Sequence, residues 1–482
     1  ETCIKHRTAC VGNGAISSQV MLRPYNQVME SVEWISLTGH TVGYISVLLF
    51  GLAYLLVMLE EFTKLRKSKP VILTAGIIWG LIALQYTRLG LGDLPGEAFR
   101  ETLIEFSELF LFLLAAMTYV NTMQERQVFE ALRSWLVRRG LSYRSLFWII
   151  GALAFFLSPV IDNLTTALVM CAVVLAVGKT SERFVGLSCV NIVVAANAGG
   201  AFSPFGDITT LMVWQSAKVE FFTFFQLFVP SVVNYLVPAA VMHFFVPPGL
   251  PENGCEQVRM RDGAIVVLVL FVLTICTAVG FHHFLHLPPM LGMMTGLGYL
   301  QIYGYVLKIR GTSRAETERH NGIVGDIYPH SPDRAFDIYH KVARAEWDTL
   351  LFFYGVVICV GGLGFMGYLA MMSESMYGTL GFTWANILVG VLSAIVDNIP
   401  VMFAVLTMDP AMGLDQWLLV TLTAGVGGSL LSIGSAAGVA LMGQARGQYT
   451  FFSHLRWTPV IALGYAASIL VHLWLNGVSS AA

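Results

Sequence analysis

Long apolar blocks alternate with short polar stretches along this chain. Residues 44–59, 145–157, 184–196, 265–278 and 460–475 are examples. A helix must stay apolar over such lengths to cross a bilayer core, so the pattern predicts an all-α polytopic membrane protein. The polar stretches carry a sidedness. Lys64, Arg66, Lys67 and Lys69 follow the first span, and Arg126, Arg133, Arg138, Arg139 and Arg144 follow the third. Two spans separate these basic loops, so both fall on one side, which the positive-inside rule makes cytoplasmic. The loop between them, 88–100, carries Asp93 and Glu97 and belongs outside, with the N-terminus.

Charged residues make up 12% of the 482 positions and hydrophobic residues 56%. Soluble domains carry about 25% charged residues, so this chain cannot solvate a globular surface of its own. A net charge of −2 gives no bulk field that attracts nucleic acid. The cysteines Cys3, Cys10, Cys171, Cys189, Cys255, Cys276 and Cys359 form no CxxC pair, which argues against a zinc or redox site. Cys3 and Cys10 could pair if exported.

The chain divides into five parts. They are a polar N-terminal tail (1–33), a first transmembrane half (34–304) with a first repeat at about 103–246, a polar cytoplasmic linker (305–345), a second repeat (346–476) and a C-terminal tail (477–482). The tail has no apolar core of signal-peptide type, and Met21 and Met29 are both candidate starts. The linker mixes charges and holds His320, His330 and His340. The repeats rest on three matched segments: 105–112 resembles 346–353, 158–164 resembles 393–399, and 197–207 resembles 425–435. Their order is kept and their separation stays near 235 residues. Duplicated halves, often inverted, are a mark of secondary transporters.

Each half holds two interrupted apolar segments. The first interruption is Ser158-Pro-Val-Ile-Asp-Asn163 in one half and Ser393-Ala-Ile-Val-Asp-Asn398 in the other. Non-helical backbone at membrane depth survives only inside protein or beside water. Broken helices also expose carbonyls and N–H groups that can hold ions. Asp162 and Asp397 are the sharpest residues of this pattern. A charge inside an apolar run costs about 2.5–3.5 kcal/mol on insertion scales. Burial therefore favours the neutral acid, and a bound cation favours the carboxylate. Competition between Na+ and H+ for one such group is a complete physical mechanism for exchange. An alternative role for Asp-Asn is capping of the next half-helix, which does not explain its duplication.

The second interruption, 197–210, offers Asn197, Ser203, Asp207, Thr209 and Thr210. Its counterpart keeps Ser429, Ser432 and Ser435 but has Gly425 for Asn197 and Ser435 for Asp207. The first half, with Asp162 and Asp207, is thus the expected main ionisable site. The glycines also suit helix packing, a reading that leaves the acid unexplained. Glu105, Glu108, Glu346 and Asp348 are placed at the starts of apolar spans, with Glu108 entering the membrane. His282, His283 and His286 precede Pro288-Pro289; without a carboxylate partner they read as interfacial packing.

These motifs resemble a known family. Residues 158–168, 197–210, 397–402 and 428–438, with 65–70 and 456–465, look like the NhaD-type sodium/proton antiporters of the ion transporter superfamily. The resemblance runs from about residue 38 to 476. It implies roughly 10–13 transmembrane segments in two inverted repeats, each with a re-entrant hairpin and a broken helix, often in a homodimer. It implies Na+ or Li+ export against H+ entry, favoured at alkaline pH, across a bacterial inner membrane. It also implies function at Asp162, Asn163, Asn197, Asp207, Thr209, Ser393, Asp397, Asn398, Ser432 and Ser435, with Glu108, Glu346 and Asp348 as matching acids. No cofactor is expected beyond the transported ions. A rival is an organic-anion or arsenite carrier of the same superfamily, which the paired Asp-Asn motifs disfavour by repulsion. A membrane-embedded enzyme finds no HExxH, GxSxG or P-loop in the apolar segments.

Overall fold

The computed structural model describes residues 36–178, 181–251, 258–320 and 338–477. The polar tail with Cys3 and Cys10, Cys255, the linker centre at 321–337 and residues 478–482 lie outside the described residues. Everything described is helix, turn or loop, as the apolar blocks require. Ten helices among the described residues are long and apolar enough to cross a membrane.

Two helices open the chain, α1 (Thr41–Met58) and α2 (Ser68–Arg88). The first repeat runs through α3 (Leu94–Glu125), α4 (Val128–Arg138), α5 (Tyr143–Ile161), α6 (Asn163–Val177), α7 (Glu182–Gly200) and α8 (Ile208–Gln215). A 3-10 helix (Phe221–Leu227) and α9 (Phe228–His243) complete it. Then come α10 (Ala264–Leu285), α11 (Pro289–His320) and the short α12 (Ile338–Ala343). The second repeat is α13 (Trp347–Phe365), α14 (Tyr368–Ser393), α15 (Asn398–Met408), α16 (Leu414–Gly427), α17 (Ala436–Gln444), α18 (Phe451–Leu455) and α19 (Thr458–Asn476). Gly381, at φ 73°, divides α14 in two. The repeats therefore match element for element, with the two parts of α14 standing for α4 and α5.

In each repeat two consecutive helices form a hairpin that does not cross. The start of α5 lies at the start of α7, where the Tyr143 and Phe184 rings are 4.5 Å apart. The Asn163 N–H at the tip donates to Gly206 O, 2.9 Å away, in the break between α7 and α8. The hairpin thus enters and leaves at one face and ends halfway. The second hairpin does the same: Asn386 Nδ2 donates to Gln416 O near the start of α16, and Ser393 Oγ donates to Ala424 O near its end. Between the starts of α3 and α13 the chain makes five passes: α3, α7–α8, α9 and α10, and then α11, which is not among the ten candidate spans but returns antiparallel along α10, with Gly292 at Ala278 and Tyr303 at Gly263. That number is odd, so the second repeat is inverted relative to the first.

The breaks sit at the centre of the molecule. All of α7 from Leu187 to Gly200 is buried, and all of α16 from Gln416 to Gly427. Small residues let backbones touch there. A methyl group on Gly206 would stand 2.9 Å from Ser158 O, and one on Gly434 2.6 Å from Ser393 O. Peripheral α1 and α10 are only 22% and 28% buried over their apolar windows, as lipid-facing helices are. Two helices reach into the polar stretches. α3 begins at Leu94, within the stretch 88–100, so Glu105 and Glu108 at the start of the apolar run lie inside a helix that begins earlier. The polar stretch from Lys308 begins as the end of α11, which continues to His320.

Candidate functional site

Three half-helix N-termini converge between the breaks, each capped by a side chain. At the first tip Asp162 adopts φ 91° and accepts from Thr165 N–H (2.7 Å) and Thr165 Oγ1 (2.9 Å). At the first break Asp207 accepts from Thr209 N–H and Thr209 Oγ1, both at 2.9 Å. At the second break Ser435 Oγ accepts from Gly438 N–H. Free N–H groups and the helix dipole both favour an acceptor at these positions.

Asp207 is the hub. Asn163 Nδ2, from the first hairpin, donates to its Oδ2 at 2.9 Å. Asn398 Nδ2, from the second, reaches Oδ2 at 3.1 Å and Oδ1 at 3.3 Å. The two asparagines are repeat counterparts, so both hairpin tips close on one carboxylate. Every partner of Asp207 is a donor, which suits the ionised form. Asn197 joins the halves: its Nδ2 donates to Ser429 Oγ (2.9 Å) and Ser435 Oγ (3.0 Å), and its Oδ1 accepts from Asn163. Asn197, Asp207, Thr209, Asn398, Ser429 and Ser435 are all buried.

A cavity leads to this hub. It is lined by Asn121 and Glu346 at one end and by Asp162, Asn163, Asp207 and Asn398 at the other, with Phe112 and Phe353 as apolar wall. Both acids line this cavity, Asp162 half-buried and Asp207 buried. Basic segments meet around the outer end. Arg261 N–H donates to Arg126 O, and Asn121 Nδ2 to Lys341 O. Lys341 of α12 pairs with Glu125.

The remaining sequence-predicted residues make other contacts, Glu346 from within the cavity lining. Ser393 braces the second hairpin against Ala424 O, as Ser158 braces the first against Ala196 O. Asp397 gives its backbone N–H to the Tyr54 hydroxyl of α1, and its Oδ1 has no hydrogen-bond partner among the described residues. Ser432 turns to Met442 Sδ. Glu346 accepts from Thr349 Oγ1, and Asp348 from Ser68 Oγ. Glu108 is half-buried on α3, outside the cavity lining. His282 packs edge-on against Trp214, and no metal-holding group of His, Cys, Asp and Glu occurs among the described residues. Two partners escaped sequence reading. Thr165 carries a capping signal, an acceptor three residues before a hydroxyl. Tyr54 has none, because α1 lies outside both repeats.

A family model described as citrate transporter matches residues 32–427. The chain is 58% identical to the Na(+)/H(+) antiporter NhaD of Alkalimonas amylolytica, with 92% of each chain covered. It is 56% identical to the Na(+)/H(+) antiporter NhaD of Vibrio cholerae, over 91% of this chain and 93% of the relative. The sodium/proton antiporter 1 of Arabidopsis thaliana is 31% identical, over 88% of this chain and 71% of the relative.

Proposed function

The chain belongs to the citrate-transporter family and, within it, to the NhaD-type sodium/proton antiporters, and from that premise we propose how it exchanges Na+ for H+ between two carboxylates. Asp162 and Asp207 cap two half-helix N-termini, and both line the cavity. Na+ is a hard cation and takes oxygen ligands. Its candidate ligands are the carboxylates of Asp162 and Asp207, the side chains of Asn163, Asn197, Asn398 and Thr209, and the serines of the second break. A cation between the acids offsets their repulsion; when it leaves, one proton does the same. Loading by one ion therefore excludes the other, which is the condition for exchange. Li+ takes the same oxygen set, and no cofactor enters the cycle.

The single observation that carries this reading is the convergence of both hairpin tips on Asp207. The basic face becomes cytoplasmic by the positive-inside rule. In a bacterial plasma membrane this puts the N-terminus outside and the Glu346 end of the cavity toward the cell interior. A citrate anion would meet Asp162, Asp207 and Glu346 together, and like charges at a desolvated site exclude it. A homodimer belongs to the same reading; cross-linking in native membranes reports it.

Everted vesicles with a pH-sensitive dye supply the test. After respiration acidifies the lumen, added NaCl should dissipate the proton gradient, most strongly at alkaline pH, and LiCl should do so too. Asp162→Asn should abolish the response. A full sodium response in that variant, or a response to citrate and none to sodium, would overturn the proposal.

A further inference from the structure

The second break is held from behind. His454 of α18 places Nε2 at 2.8 Å from Ser429 O and Nδ1 at 2.8 Å from the Tyr449 hydroxyl. The next carbonyl of the break, Leu430 O, accepts from Thr458 Oγ1 at 2.7 Å. A carbonyl can only accept, so Nε2 carries the ring hydrogen, and the bare Nδ1 of the neutral ring accepts from Tyr449. Both side chains are fully buried, His454 at 0% and Tyr449 at 1% exposure.

The front of the same turn faces the site. Ser429 Oγ takes one N–H of the Asn197 amide and Ser435 Oγ takes the other. With both N–H groups committed, the amide must present Oδ1 to Asn163, which in turn donates to Asp207. One buried chain of contacts thus runs from His454 through Ser429, Asn197 and Asn163 to Asp207. Among the described residues the first repeat has no such tether at the matching place. There Phe202 packs against Phe225 and Phe228, with ring centroids 6.4 and 5.3 Å apart. Burying an imidazole and a phenol costs free energy unless each is satisfied. Apolar packing serves the first repeat without that cost.

We infer that His454 is a positioning residue for the ion site: its Nε2–H pins the Ser429 turn and, through Ser429 and Asn197, sets the amide that faces Asn163 and Asp207. The inference deepens the antiport reading and rests on it. A residue acting this way alters ion affinity more than the maximal rate, because it orders ligands without touching the ion.

The test uses the full-length protein in everted vesicles, titrated with NaCl, and compares His454→Leu, His454→Gln and Tyr449→Phe with the unmodified chain. The Leu side chain can make neither bond and should raise half-saturating sodium about tenfold while changing the maximal rate less than about threefold. The Gln amide can still donate to Ser429 O and should stay within about twofold, and Tyr449→Phe should fall between them. Half-saturation equal to the unmodified chain in both the Leu and Phe variants would sink the inference. So would a loss confined to maximal rate and proportional to protein in the membrane. If the Leu variant does not reach the membrane, Tyr449→Phe decides, and an unchanged half-saturation overturns the tether. An unmodified chain that gives no sodium response refutes the antiport reading instead.

Discussion

Asp207 is surrounded by donors from three elements: its own helix start, the Asn163 tip and the Asn398 tip. Replacing it with Asn turns one acceptor oxygen into an NH2 group that faces other donors. Asp207→Asn should therefore lower sodium-driven exchange more than tenfold and cost about 1–3 kcal/mol of stability. Vesicle assays and thermal melts of the purified protein check the two effects separately. Tyr54 belongs to the same scale. Its hydroxyl accepts the Asp397 N–H, so Tyr54→Phe strands a donor in a partly buried tip. A loss of about 1–3 kcal/mol is expected, and a melting temperature equal to wild type would contradict it. Asp207, Asn163 and Asn398 are legible in the sequence as polar groups inside apolar runs. Tyr54 is not, because a lone tyrosine near a helix end reads as an interfacial anchor.

Among the elements, the hairpins and breaks depend on backbone contact. Gly206 and Gly434 stand where any Cβ meets a carbonyl oxygen of the hairpin end. Gly434→Ala should force the second tip away from the break. Exchange should fall with little change in lipid-facing parts, and gel filtration in detergent should still show a folded protein. At the face opposite the basic loops, Lys218, just beyond α8, pairs with Asp409 at the end of α15. Their side chains are 26% and 25% exposed, so solvent screens the pair and its worth is about 1 kcal/mol. Lys218→Ala should shift the melting temperature by about one degree at low salt and less at high salt, since exposed pairs are screened. The pair joins the first repeat's broken helix to the second repeat's hairpin, a contact between residues 191 positions apart.

For the whole molecule, the odd number of crossings between repeats makes the two broken helices run in opposite directions through one centre. Alternating access needs two such related arrangements about a fixed site. Arg126 after α3, Arg261 before α10 and Lys341 of α12 gather on one face, and the inverted reading puts Lys218 and Asp409 on the other. Single cysteines replacing Arg139 and Lys218, in a chain lacking its own cysteines, should therefore react with an impermeant maleimide from opposite sides. Labelling of both from the same side of intact cells would contradict the crossing of α7–α8 on which the inverted arrangement rests.

Apolar blocks, basic loops and the matched Asp-Asn and Gly-Gly segments are local features, so the chain alone determined the membrane class, the duplication and most of the polar cluster. Hydrophobicity, though, measures whether a segment tolerates lipid, not whether it crosses. Helix α5 satisfies length and hydropathy, yet the contacts of Tyr143 and Asn163 make it the arm of a hairpin. Repeat inversion follows from that distinction and was decided only in three dimensions. The same holds for the direction a side chain takes from a break. Asn163 and Asn398 turn inward to Asp207 and Asn197 to Asn163, while Ser432 turns to Met442 and Asp397 stands beside Tyr54. Which neighbour lies across a break depends on packing between helices far apart in the chain, and no local pattern encodes it.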